Sequence, residues 1–183
     1  MKKILSAIIT AVIMTVSICG QVECAVRSVP LNESRGMLTT MMMYNELIGG
    51  SNPKHQVSTE FTKFDSGTSY KNTTTYISEN QYHLLCSCMV NPDGTVLSYA
   101  LQVPKYTTNR PMMGMMAAAM ICSAANNLKG ETERATKECT KFAKREIDTI
   151  FFKSTNENKY FVVKRSEYNK DYWLITVCAF EKD

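Results

Sequence analysis

Seven cysteines, twelve methionines and two histidines are the soft and titratable ligands of this 183-residue chain. Cys86-Ser87-Cys88 is the closest-spaced pair. On a strand, residues two apart share a face, so both thiols point the same way and can join each other only with severe distortion. Two thiolates side by side, with methionine sulfur at hand, suit a soft cation such as cuprous ion. Met112, Met113, Met115, Met116 and Met120 contain pairs at the i, i+3 and i+4 spacings of a helix. Met112 and Met116 are therefore the thioethers expected to complete such a site. Ordinary packing is the competing expectation, because methionine fills irregular cores and a helix apolar on every side is usually buried.

Cys122 and Cys139 suggest different chemistry. They lie eight residues before and nine residues after Gly130. In an antiparallel helical hairpin turning at Gly130, both would sit roughly 12–13 Å from the turn, at the same level. A disulfide between them is expected, stabilising by roughly 3 kcal/mol on the loop-entropy account. Cys178 is a second bridging candidate, with Cys86 or Cys88 as its partner, if the hairpins carrying them are neighbours.

Nucleophilic catalysis has little to build on. His83 and Cys86 are three apart and so face opposite sides of a strand. His55 sits in a Pro-Lys-His loop with no adjacent motif. The chain has no Gly-x-Ser-x-Gly, Ser-x-x-Lys, glycine-rich phosphate loop or His-Glu-x-x-His. The expectation is a protein without catalytic or cofactor-binding residues, although an active site assembled without local motifs would escape this reading.

The first 24 residues set the compartment. Lys2 and Lys3 precede an uncharged apolar run from Ile4 to Ile18, and small and polar residues follow, the layout of a secretory signal peptide cut after Gly20 or Cys24. The run is shorter than the ~20 residues a membrane span prefers, so no stable span is expected once the signal is removed. Export to the periplasm or the extracellular medium makes the remaining cysteines disulfide candidates first. The compact leader reads as bacterial, which makes the Asn32-Glu33-Ser34 and Asn72-Thr73-Thr74 sequons chance matches. A formal net charge of +4, with no basic block interleaved with aromatics, gives no reason to expect nucleic acid.

These residues need elements to position them. After an extended leader over 25–36, Met37, Met41, Tyr44 and Ile48 mark one face of a helix that Gly49-Gly50 stops, with Ser34 as its expected cap. Four strands follow over Gln56–Phe64, Ser69–Ser78, Tyr82–Val90 and Thr95–Val103, the last two joined by Asn91-Pro92-Asp93-Gly94. Pro111 opens an all-apolar helix to Ala125. A second helix from Glu131 carries Ala135, Cys139, Phe142, Ala143, Ile147 and Ile150 on one side. Tyr160–Arg165 and Tyr172–Phe180 close the chain as a hairpin. The whole reads as a single α+β domain over 37–183: a helix, an antiparallel sheet of about six strands, and a helical hairpin inserted before the last two.

The function expected from this is a non-catalytic exported module. It would bind a protein, a peptide or a small ligand through the open face of its sheet, with Tyr70, Thr73–Thr75 and Tyr76 as surface residues. The alternative is a soft-metal carrier using Cys86, Cys88, Met112 and Met116. An enzyme ranks below both.

Overall fold

The computed structural model describes residues 26–50, 52–64 and 72–182. The signal segment, Tyr70 and the beginning of the strand expected over Ser69–Ser78 lie outside the described residues. Among the described residues, eight strands form one antiparallel sheet: β1 (Val26–Val29), β2 (Thr62–Phe64), β3 (Thr74–Glu79), β4 (Leu85–Val90), β5 (Val96–Pro104), β6 (Thr149–Ser154), β7 (Lys159–Glu167) and β8 (Tyr172–Lys182). Their order is β2-β3-β4-β5-β8-β7-β6, and β1 pairs with the far end of β8 beyond the reach of β5. Three α-helices among the described residues, α1 (Met37–Ile48), α2 (Arg110–Ala124) and α3 (Thr132–Lys144), complete an α+β fold.

Alternation along the strands decides which side the helices cover. Cys86, Cys88, Tyr99, Leu101, Val163, Ile175 and Val177 point to the helical side and join Met41, Tyr44, Met116, Met120 and Phe142 in the main core. Smaller and more polar side chains point the other way. Ser87, Ser98, Gln102 and Thr176 are buried there, beside the clusters Ala100–Leu174 and Val162–Cys178–Phe180.

α2 lies at the centre of the helical layer, packing on α1, α3, β7 and β8. That explains why it has no polar side. Asn109 caps its start by accepting a hydrogen bond from the Met112 amide at 2.9 Å. At its other end Arg35 donates to the Ser123 and Ala125 carbonyls, placing a cation at the negative helix terminus.

Several boundaries differ from the sequence reading. The helical hairpin precedes three strands, because the chain leaves α3 at Arg145, whose left-handed φ of +64° ends the helix. Ile147 and Ile150 therefore do not belong to α3, and Ile150 is a buried residue of β6. Arg165 fixes this exit by donating to the Phe142 carbonyl at 2.8 Å and the Ile147 carbonyl at 3.3 Å, with Asp148 as its counter-ion. The first part of the segment expected as an extended leader forms β1 rather than a mere extended approach. Gly36, not Ser34, stands at the N-cap of α1. The Ser34 amide and hydroxyl instead donate to Asn32, which is only 1% exposed.

Two parts of the reading hold closely. The β4–β5 hairpin turns at Asn91-Pro92-Asp93-Gly94, where Gly94 has φ +86° and Asp93 accepts from the Thr95 amide at 2.9 Å. α1 buries Met41, Tyr44 and Ile48, three of the four positions expected on its inner face, while Met37 packs at the margin of the core.

Candidate functional site

The Cys86–Cys88 pair sits on β4 with both thiols on the helical side, as period-two alternation requires. Their sulfurs are 3.8 Å apart. The third sulfur comes from α1: Met41 Sδ stands 3.7 Å from Cys86 Sγ and 4.0 Å from Cys88 Sγ. All three side chains are fully buried. The methionines expected for this role lie elsewhere on α2, where Met116 fills the core and Met112 packs at its edge. The periodicity of α1 places Met41 on its core-facing stripe. It is there, and the same stripe carries its sulfur to the cysteines.

Two tyrosines border the cluster. Tyr99 is the cross-strand partner of Cys88, and Tyr44 lies one helical turn beyond Met41. Their rings meet edge to face with centroids 6.4 Å apart. Each hydroxyl is anchored, Tyr44 to the His55 carbonyl at 3.2 Å and Tyr99 with the Ser123 hydroxyl at 2.8 Å. Burial pushes the Cys86 thiol and both phenols well above their usual pKa values.

The remaining cysteines form no disulfide among the described residues, and the pairing expected for Cys178 fails on topology. No two sulfurs among the described cysteines stand at bonding distance. For Cys178 the reason is topological: it is opposite Ser98 on the face away from the helices, and β5 separates its strand from β4. It cannot reach Cys86 or Cys88. The Cys122–Cys139 bridge is likewise not formed. The two residues do belong to the packed helices α2 and α3, and Cys139 feels Cys122 electrostatically. Burial first, and then Cys122 and Glu138, push the Cys139 thiol up to about 12.

Neither histidine has a thiol among its hydrogen-bond partners. His55 is buried, with Nε2 3.2 Å from the Thr108 hydroxyl and Nδ1 unpartnered. Burial lowers its pKa, only partly opposed by a hydrogen bond to the backbone at Thr107, and Lys54 lowers it further. His83 is exposed in the β3–β4 turn and pairs with Glu79 at 3.0 Å. The sheet surface expected to bind a ligand is not exposed either. Thr73 and Thr75 are buried, and Tyr76 points to the helical side and packs against the core.

A groove lies instead on the outer side of the helical hairpin. Pro111, Gly114, Met115 and Ala118 of α2 face Thr136, Cys139, Thr140 and Ala143 of α3 across about 390 Å³, with Arg110 and Lys144 among the lining residues. Its walls are mostly apolar, and the small side chains of Gly114, Ala118 and Ala143 leave room for the concavity. Gly114 permits the close approach, since a Cβ there would stand 3.0 Å from Ala143 Cβ. Met115, 43% exposed, is the large apolar side chain that α2 presents at this site. No helix among the described residues is long and apolar enough to cross a membrane.

Compared with known proteins, the chain matches no family model, no curated protein and no solved structure. Its own geometry carries the functional reading.

Proposed function

We propose that the protein is an exported, non-catalytic binding module whose ligand seat is the groove between α2 and α3. The observation that supports this most directly is an apolar concavity holding an exposed methionine, with cations from both helices. Its size lies at the small end of the ~300–1,000 Å³ typical of ligand pockets, so it suits a few apolar side chains of a peptide or protein partner. Arg110 and Lys144 would favour acidic groups flanking that apolar segment. Export rests on the leader over residues 1–24. In an oxidising compartment Cys122 and Cys139 would join and staple α2 to α3 beside the groove.

A naphthalene sulfonate, apolar with one anionic group, is a direct probe. Saturable fluorescence with one molecule per chain is expected, lost in Ala118→Trp and retained in Leu38→Ser, whose side chain is exposed on α1. Unsaturable binding, or binding indifferent to Ala118→Trp, would sink the groove. Intact mass of the secreted chain before and after reduction tests the rest: a start at Gln21 or Ala25 and one disulfide are expected, while a retained leader rejects export.

A further inference from the structure

We infer that Cys86, Cys88 and Met41 form a trigonal three-sulfur site for a single monovalent soft cation, cuprous ion being the physiological class. The site is independent of the groove. Its case is geometric. The sulfurs form a triangle with sides of 3.7, 3.8 and 4.0 Å. The centre of that triangle is about 2.2 Å from each corner (the mean side divided by √3), close to the ~2.3 Å of a metal–thiolate bond. No rotation of strand or helix is needed to bring the donors within reach.

The donor set selects the ion. Thiolate and thioether sulfur together favour cuprous ion over harder cations. Zinc in a structural site takes four ligands in a tetrahedron. Among the described residues no cluster of three or more His, Cys, Asp or Glu side chains is placed to hold a metal, so a zinc site would lack its remaining donors. Charge favours a thioether over a third thiolate as the remaining donor for a monovalent ion. Loading would convert Cys86 and Cys88 to thiolates, release two protons to solvent and form two copper–sulfur bonds, while Met41 donates a lone pair without changing its charge. The buried complex then carries one negative charge, where a third thiolate would leave two. No electron is transferred, so no oxidant or reductant is required.

The elements also account for the specificity of the arrangement. The two cysteines lie on β4, where every residue is buried. The thioether lies on α1, a helix without a side-chain N-cap or an acidic first turn, held by packing and by the bonds of Tyr44 to the His55 carbonyl and of Asn45 to the Val57 backbone. Because all three donors are fully buried, an ion can enter only when α1 moves away from the sheet. Uptake should therefore be slow, and faster in denaturant too dilute to unfold the protein.

The test uses the full chain, reduced and kept anaerobic, titrated with cuprous ion against a coloured bidentate cuprous chelator. One ion per chain is expected, with X-ray absorption showing sulfur neighbours only. Met41→Leu conserves side-chain volume and should fold. It should reduce the sulfur count from three to two. Cys86→Ser should weaken binding by more than the roughly 10–100-fold that removing an outer-shell partner costs. Cys122→Ser with Cys139→Ser should leave stoichiometry and affinity unchanged. The inference is overturned if the wild type takes up no ion, which would make the triangle a packing contact between sulfurs. It is equally overturned if the ion persists with unchanged sulfur count in Met41→Leu, or disappears in the Cys122/Cys139 variant. A Cys86–Cys88 disulfide in the air-exposed chain that survives mild reduction would also reject it.

Discussion

Single side chains in this protein are governed by which face of an element they occupy. His55 shows the consequence for pH. Its pKa lies below the ordinary value of 6.5 because burial disfavours the imidazolium. As pH falls through 6.5 the unfolded chain takes up a proton at this residue before the folded one does, so folding stability should decline there. The contribution is complete above the unfolded value and is lost as pH falls toward the folded one. Urea midpoints measured at steps between about pH 7.5 and 5 should fall, and His55→Gln should flatten that slope. A slope unchanged in the variant would show that another group controls it. Glu131 follows the opposite balance. Burial raises its carboxyl, but bonds from Ser154 and Thr155 and the charge of Arg134 outweigh this and hold it below its usual value. The tie joins the start of α3 to the end of β6, with Ser154 Oγ donating at 2.7 Å and the Thr155 amide at 2.8 Å.

Between elements, the α2–α3 contact is the tightest the helices make. A glycine-to-alanine change inside an exposed helix gains about 1 kcal/mol of intrinsic propensity. At Gly114 the added methyl would meet Ala143 Cβ at 3.0 Å, and neither atom can swing aside. Overpacking of this kind costs roughly 1–3 kcal/mol, so Gly114→Ala should be destabilising by about 1 kcal/mol net. Chemical denaturation reads this directly, and a gain in stability would mean the helices part easily. Element types were largely legible in the sequence, since Met41, Tyr44 and Ile48 repeat at helical spacing and Asn91-Pro92-Asp93-Gly94 is turn chemistry. β6 was not. Ile147 and Ile150 continue the apolar stripe of α3 in helical register, and local periodicity cannot tell that the chain has already turned. The turn depends on Arg145 in the left-handed region and on Arg165, 20 residues further on, satisfying the Phe142 and Ile147 carbonyls.

As a whole, the sheet joins a four-stranded meander, β2-β3-β4-β5, to a three-stranded one, β6-β7-β8, edge to edge through β5 and β8, with β1 added alongside the end of β8. A helical segment precedes each meander, α1 in one half and α2–α3 in the other. The join is centred on Leu101 and Ile175 and is buried along all of β5. Cooperative unfolding should therefore be last to reach it. Native-state hydrogen exchange is expected to be slowest at the amides of Tyr99–Val103 and Leu174–Val177, and faster in the edge strands β2 and β6. If the two meanders opened with separate free energies, the join would not be the stabilising centre.

Local patterns in the chain were enough for the α+β class, the helical hairpin, the inward stripe of α1 and the shared direction of Cys86 and Cys88. Each is a consequence of a local repeat, 3.6 residues on a helix or two on a strand, or of a turn residue's backbone preference. Tertiary structure decided which distant residues meet. It set Met41 rather than Met112 or Met116 against the cysteines, put Cys178 on the far face from them, and opened a groove at Gly114. Those outcomes depend on strand order and helix placement, which long-range packing of the whole chain selects and no local spacing records.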